Sequence, residues 1–163
     1  MRNKLLAGVC LITMMALPLK AQDFYGNIHL GSKHFGATRE FNEFNPGVGL
    51  GIRWGDTFRY GLEAGVFYNS YSEWSTYGAA FAQYRVVDGD HWDTYLGGTV
   101  TLAGYPNLVG YADKYGIPRV GTHILVPSLS VEFDHGDYAI ASHIIVGGAK
   151  FDTLVTVSIK YKF

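Results

Sequence analysis

The chain predicts an all-β fold: an eight-stranded antiparallel transmembrane β-barrel that follows a cleaved N-terminal signal peptide. Three observations predict it. Apolar and polar residues alternate with period two from residue 24 onward, the signature of strands with one apolar face. The chain is 48% hydrophobic and 15% aromatic, yet beyond its leader it holds no apolar run long enough for a spanning helix. The expected connections alternate between tight turns and long loops, as in outer-membrane barrels.

The leader spans residues 1–21. Arg2 and Lys4 form a positive start, "LLAGVCLITMMALPL" is a short apolar core, and Ala21 gives a small residue at the cut. The run is broken by Pro18 and falls short of the roughly 20 residues a membrane anchor needs. Cys10 lies inside it, and Val9 is large for the residue before a lipoprotein cysteine. Cys10 is the only cysteine, so residues 22–163, one barrel domain, must be stabilised without disulfides. Without Arg2, Lys4 and Lys20, ten basic residues face 14 acidic ones, a net charge of about −4. That balance gives no support for a nucleic-acid partner.

The strands are expected near 25–35, 45–54, 58–69, 75–87, 91–103, 118–133, 137–147 and 153–163. The first runs up to "GSKHFG". The second, "GVGLGIRW", sets Val48, Leu50, Ile52 and Trp54 against Gly47, Gly49 and Gly51. The third, "RYGLEAGVFY", places Leu62, Ala64 and Val66 on one face and Arg59 and Glu63 on the other. The sixth is bracketed by Pro118 and Pro127, which remove ladder donors and weaken pairing. In a membrane barrel such a place reads as a lateral gap for a lipid chain, and Pro46 offers a second or simply starts its strand. The last, "LVTVSIKYKF", alternates Val155, Val157, Ile159, Tyr161 and Phe163 with Thr156, Ser158, Lys160 and Lys162. No helix is predicted after the leader.

"WGDT", "VDGDH" and "DHGD" are the tight turns; residues 36–44 and 104–117 are long loops. An even strand number puts both termini on the short-turn, periplasmic side. Aromatics near strand ends, such as Trp54, Tyr68, Trp92 and Tyr161, suit interfacial girdles. The terminal Phe163 resembles the signal read by the outer-membrane assembly machinery. A soluble lipocalin-like barrel would turn its apolar face inward, leaving Arg59, Glu63, Asp93, Lys160 and Lys162 to face water among many small residues, a poor exterior. A lumen filled by Arg59, Glu63 and Tyr95 is too narrow for a pore.

Chemistry concentrates at one rim. The first strand ends at His34, the third at "FYNSYSEW" with Asn69 and Ser70, and "EFNEFNPG" brings Asn42, Glu43 and Asn45 to the same end. A serine that attacks an ester needs a base within reach and donors for the oxyanion. Simple period two gives His34 and Ser70 the parity of the lipid-facing residues, with the second strand between them. They meet only if rim loops fold over that strand. His29, His91, His123, His135 and His143 show no metal-ligand spacing.

The chain resembles the outer-membrane lipid A palmitoyltransferases (PagP-type). "FNEFNPGVGLG" is similar to the family's Asn-Glu, proline and glycine-rich strand. "VFYNSYSEW" resembles the stretch with its Asp-Ser pair and following Trp, and "GIPRVGTHILVPSLSVEF" resembles its proline-bracketed lateral gate. The resemblance implies a monomeric, cofactor-free, metal-free acyltransferase of the Gram-negative outer membrane. It would move a palmitoyl-like chain from a glycerophospholipid to lipid A, with its active site facing the exterior. It implies catalytic His34, Asn69 and Ser70, support from Asn42, Glu43 and Asn45, and a gate at Pro46, Pro118 and Pro127. Asn69 stands where the family has Asp. It would donate to an oxyanion rather than orient an imidazole as a carboxylate does. The donor tail would lie in the barrel above a floor that measures its length, with Gly61, Gly65 and Gly97 as candidates. A lipid A deacylase (PagL-type) places Ser two residues after its His, where this chain has Gly36. The alternative outside enzymology is a structural or adhesive barrel.

Overall fold

The computed structural model describes residues 22–147 and 153–163. The expected leader and the tip of the last long connection lie outside the described residues. The strands are β1 (Gln22–Phe35), β2 (Gly47–Trp54), β3 (Phe58–Tyr68), β4 (Trp74–Val87), β5 (Asp93–Gly104), β6 (Arg119–Val120), β7 (His123–His135), β8 (Tyr138–Val146) and β9 (Thr153–Lys162). Each long strand pairs antiparallel with its neighbours, and the β1–β9 and β5–β7 ladders complete the ring. Eight strands therefore close a barrel, and β6 is a two-residue stub paired to the top of β7.

Two expectations need correction. The sixth strand does not run unbroken from residue 118. Gly121, at φ 59°, turns the chain between the stub and β7, so the barrel strand starts at His123. The 104–117 loop is also not free of helix. It holds a 3-10 turn at Pro106–Leu108 and a short helix, α1 (Val109–Tyr115). Pro106 opens this segment, Gly116 ends it in the left-handed region at φ 66°, and Ala112 is the fully buried residue of the helix. Those punctuation marks stood in the sequence, but the period-two reading passed over them.

The barrel's polarity is the reverse of a soluble protein's. Outward residues such as Val48, Leu50, Leu62, Leu129 and Ile159 are exposed, while Arg53, Arg59, Glu132 and Lys160 are buried inside. An apolar outer wall around a polar lumen is stable where hydrocarbon is the solvent. The soluble-barrel alternative requires the opposite arrangement.

The lumen below the middle is plugged by ions. Glu132 takes Arg53 Nη1 at 3.1 Å and Lys160 Nζ at 2.9 Å, and Arg59 Nη1 lies 3.4 Å from it. Asp134 binds Arg59 at 2.7 Å and Arg53 at 3.2 Å, and Asp23 binds Arg53 at 3.1 Å. The Arg59 guanidinium also lies over the Tyr95 ring, 3.0 Å from its centre. Every charge here faces an opposite one, as burial away from water demands. The filling expected of Arg59, Glu63 and Tyr95 is thus part of a larger network.

One irregularity decides the site. The β1–β9 register shifts between His29 and Gly31, so Leu30 is an extra residue, a β-bulge. Below it the odd residues Tyr25, Asn27 and His29 turn inward. Above it Ser32 and His34 do, opposite Thr156 and Leu154. The parity expected for His34 is therefore wrong: His34 is buried, and Lys33 and Phe35 are exposed instead. A one-residue insertion swaps the two faces of everything beyond it.

Candidate active site

The β1–β2 ladder ends at His29–Gly47, where the bulge and Pro46 coincide. Above that point residues 42–46 run as an irregular extension of β2, stitched to both neighbours. Ser32 N donates to Glu43 O at 2.8 Å, Tyr68 N to Pro46 O at 2.8 Å, and Asn42 N to Ser70 O at 3.1 Å. Side chains supply what the ladder lacks. Asn45 Nδ2 donates to Tyr68 O at 3.0 Å and to Asn42 O at 3.2 Å, while its Oδ1 accepts from Ser32 Oγ. Asn42 Nδ2 reaches Phe44 O at 2.7 Å. The segment expected to support substrate is, first, the mortar of the rim. Pro46 leaves no gap here, because these contacts close the seam.

The segment also answers how His34 and Ser70 approach across β2. The Phe41 ring stacks on His34 with centroids 4.2 Å apart and planes 9° from parallel, and the next residue, Asn42, binds Ser70. One layer of loop therefore separates the two, and they do not hydrogen bond to each other. Arg39 lies over both Phe41 and Tyr71, at 4.5 and 4.3 Å, which fastens this layer to the 69–73 turn. Glu43 takes Lys33 Nζ at 2.9 Å and His34 N at 3.3 Å, and the Lys33 hydrogen bond holds its carboxyl below the ordinary range.

Asn69 is fully buried and occupied. Its Oδ1 accepts from Tyr71 N at 2.8 Å and Glu73 N at 3.1 Å, and its Nδ2 donates to Ser75 Oγ at 2.9 Å. This Asx-type closure holds a turn whose Ser72 takes a left-handed φ of 63°. These contacts hold the turn that presents Ser70. Ser70 itself is buried in the turn and lines a cavity inside the barrel.

That cavity is a narrow shaft of about 120 Å³. Its lining runs from Ser70 and Tyr105 at the rim down to Gln83 and Thr99. Tyr77 to Gln83 alone covers ~20 Å of strand, or ~15 Å of depth at the ~40° tilt of such barrels. About 120 Å³ over that depth makes the cavity slender. The upper walls are largely apolar, with Phe67, Ala103, Ile145 and Leu154. Deeper, Glu63 accepts from Tyr77 Oη at 2.5 Å, Asn27 Nδ2 at 2.6 Å and Tyr25 Oη at 3.0 Å. Tyr77 Oη spends its hydrogen on Glu63, so its 2.8 Å contact with His29 Nε2 makes that nitrogen the donor and leaves Nδ1 as the acceptor. The glycines expected to shape a floor instead make room for β4. Phe81 lies over Gly61, Tyr77 over Gly65 and Gln83 over Gly97.

The shaft also borders an unpaired seam in the wall. β7 pairs with β5 up to His123, but its ladder with β8 stops at Leu129–Ile144. Val126, Pro127 and Ser128 have no β8 partner among the described residues, although β8 continues against β9 to Val146. Val126, Ser128 and Ile145 line the shaft at this seam, and Pro127 contributes no N–H to it. Pro127 thus sits at a gap, whereas Pro118 does not. It precedes the β6 stub, and its carbonyl takes Leu125 N at 2.8 Å.

His29, Tyr77, Glu63, Gln83 and Thr99 were not singled out as site residues from sequence. Period two places Glu63 inward, but contacts across a lumen between non-neighbouring strands leave no trace in spacing. Among the described residues, no group of three or more metal-binding side chains occurs.

No family model matches the chain, and no curated protein does. Among solved structures it is similar to the outer membrane protein Ail of Yersinia pestis, whose backbone structure was determined in a phospholipid bilayer nanodisc. The identity is 9% and the TM-score 0.43, over 88% of this chain and 100% of that one.

Proposed function

We propose that this chain is a monomeric outer-membrane acyltransferase of the lipid A palmitoyltransferase type, with its long-loop rim facing the cell exterior. The apolar wall supports residence in a bilayer, and the signal-peptide pattern supports export. The observation that carries the reading is the cavity: slender, largely apolar in its upper walls, lined by Ser70 near the rim and bordered by the unpaired stretch at Pro127. A glycerophospholipid tail would enter through that seam. Ser70 Oγ would attack the donor ester, its proton passing to His34. The lysophospholipid would leave with that proton as acyl-Ser70 forms, and a lipid A hydroxyl would then take the acyl group, its proton returning through His34 to Ser70 Oγ. No cofactor is needed. His34 and Ser70 stand one loop layer apart, and catalytic contacts commonly tighten only when substrate is bound.

The same separation favours a second reading, a structural or adhesive barrel in which both residues only cap strands. Mass spectrometry of lipid A from cells expressing the protein decides. The expected result is an added acyl mass that disappears in His34→Ala and Ser70→Ala. No added mass in membranes containing folded protein favours the second reading, and a lost acyl chain indicates a deacylase.

A further inference from the structure

We propose that a notch in the lipid-facing wall between β4 and β5 docks one lipid A molecule through its acceptor oxygens. This rests on the reading of the chain as an enzyme that acts on lipid A, and it gives the acceptor a place to bind. The β4–β5 ladder ends at Tyr77–Ala103, although β4 continues up to Trp74 against β3. There β5 leaves β4. Gly104 still pairs with His123 on β7, and Tyr105 N donates to Thr122 O at 2.9 Å. The wall therefore splits above that point. The opening is a notch of about 340 Å³, and Val66, Trp74, Thr76, Pro106 and His123 line it. It lies on the outside, since Val66, Trp74 and Thr76 are exposed on the outward face of their strands. The notch thus continues the apolar wall, and lipid is what that wall meets.

Its floor is polar. Beside Gly104, which has no side chain, the His123 ring crosses β5 and its Nε2 meets Thr76 Oγ1 on β4 at 2.7 Å. A neutral imidazole and a hydroxyl carry two hydrogens, and the mutual bond spends one. Either tautomer leaves one N–H or O–H over. Trp74 adds an indole N–H, which can only donate. Donors at the edge of a hydrocarbon wall call for acceptor oxygens. Lipid A supplies them as sugar phosphates and acyl carbonyls, with chains that continue down the wall. The notch also abuts the turn that carries Ser70. Ser75 shares its lining and takes Asn69 Nδ2 at 2.9 Å, and Asn69 precedes Ser70. The seam at Pro127 lies beyond β5 and β7, so donor and acceptor lipids need not share an entrance.

The test places a photoreactive benzophenone side chain beside the notch. It replaces Tyr68, whose ring packs on Trp74 with centroids 5.6 Å apart. In a second protein it replaces Phe35, an exposed aromatic at the same end of β1. Each folded protein sits in nanodiscs of equal amounts of lipid A and phosphatidylethanolamine, and mass spectrometry counts the adducts of each lipid after illumination. Lipid A should be enriched about tenfold at position 68 relative to position 35, the worth of one charge-assisted hydrogen bond. Thr76→Val together with His123→Phe should erase that enrichment. Both changes put apolar groups on a lipid-facing wall, and heat-modified gel mobility identifies the folded protein. Equal ratios at the two positions, enrichment of phosphatidylethanolamine, or enrichment that survives both substitutions overturns the inference. Equal ratios alongside acyl transfer in cells overturn it and leave the enzymatic reading standing. Enrichment without acyl transfer supports the site and removes the enzymatic reading.

Discussion

Asn69→Ala separates a turn-holding residue from a reacting one. The side chain is fully buried and makes three hydrogen bonds, to Tyr71 N, Glu73 N and Ser75 Oγ. At about 1 kcal/mol net for each, alanine costs about 3 kcal/mol. With a urea slope of about 2 kcal/mol per molar, the unfolding midpoint falls by about 1.5 M. Asn69→Asp keeps all three contacts. The carboxylate accepts both backbone N–H groups, and the Ser75 hydroxyl reverses to donate, so the loss stays near ~1 kcal/mol. Reversible urea unfolding from lipid vesicles, followed by tryptophan emission, measures both; Trp74 lies beside the turn and reports on it. A midpoint shift below about 0.3 M for Asn69→Ala refutes the reasoning. So does Asn69→Asp losing as much as alanine. Intact stability with lost acyl transfer in Asn69→Ala would return Asn69 to the chemistry.

Deleting Leu30 should remove the bulge and leave position 34 on the lumen side, because Gly31 then follows His29 and the ladder runs unbroken from His29–Ser158 to His34–Leu154. In cysteine variants at positions 34 and 35, labelling by aqueous thiol reagents should show the same facing with and without Leu30, and an exchange of the two faces on deletion would show that Leu30 is not the supernumerary residue. Glu132→Ala leaves Arg53, Arg59 and Lys160 short of an anion, and breaking one side of a buried ionic network costs about 3–5 kcal/mol. Urea unfolding checks this, and a cost below about 1 kcal/mol would mean that water enters the plug. Glu43 has a lowered carboxyl pKa in the folded chain, so its stabilising contact with Lys33 is complete at neutral pH. It is lost only as pH falls through that lowered value. Protection of the His34 amide against hydrogen exchange should therefore hold through mildly acidic pH and fail below the ordinary carboxylate range, whereas in Lys33→Ala it fails earlier.

The barrel was legible because a bilayer imposes period two on every strand, and Leu50, Leu62 and Ile159 obey it on the outside as Arg53, Arg59 and Lys160 do inside. The rim was legible as a set, because strand direction alone brings His34, Asn45 and Ser70 to one end. Their facing was not. Leu30 looks like any other apolar strand residue, and only the register against β9 shows it to be supernumerary. The job of Asn69 was hidden for a similar reason. Asn is equally at home in a turn or an oxyanion site, and only the fold shows its hydrogen bonds to Tyr71, Glu73 and Ser75.

By itself the sequence determined which wall meets lipid and which end carries the long loops, since both follow from local alternation and turn chemistry. The tertiary structure decided what occupies the lumen. The Glu63–Tyr77–His29 chain, the crossing of Gln83 over Gly97 and the unpaired stretch at Pro127 each depend on register or on side chains meeting across the barrel. Closure of the ring creates those neighbours, and a linear pattern holds no record of them.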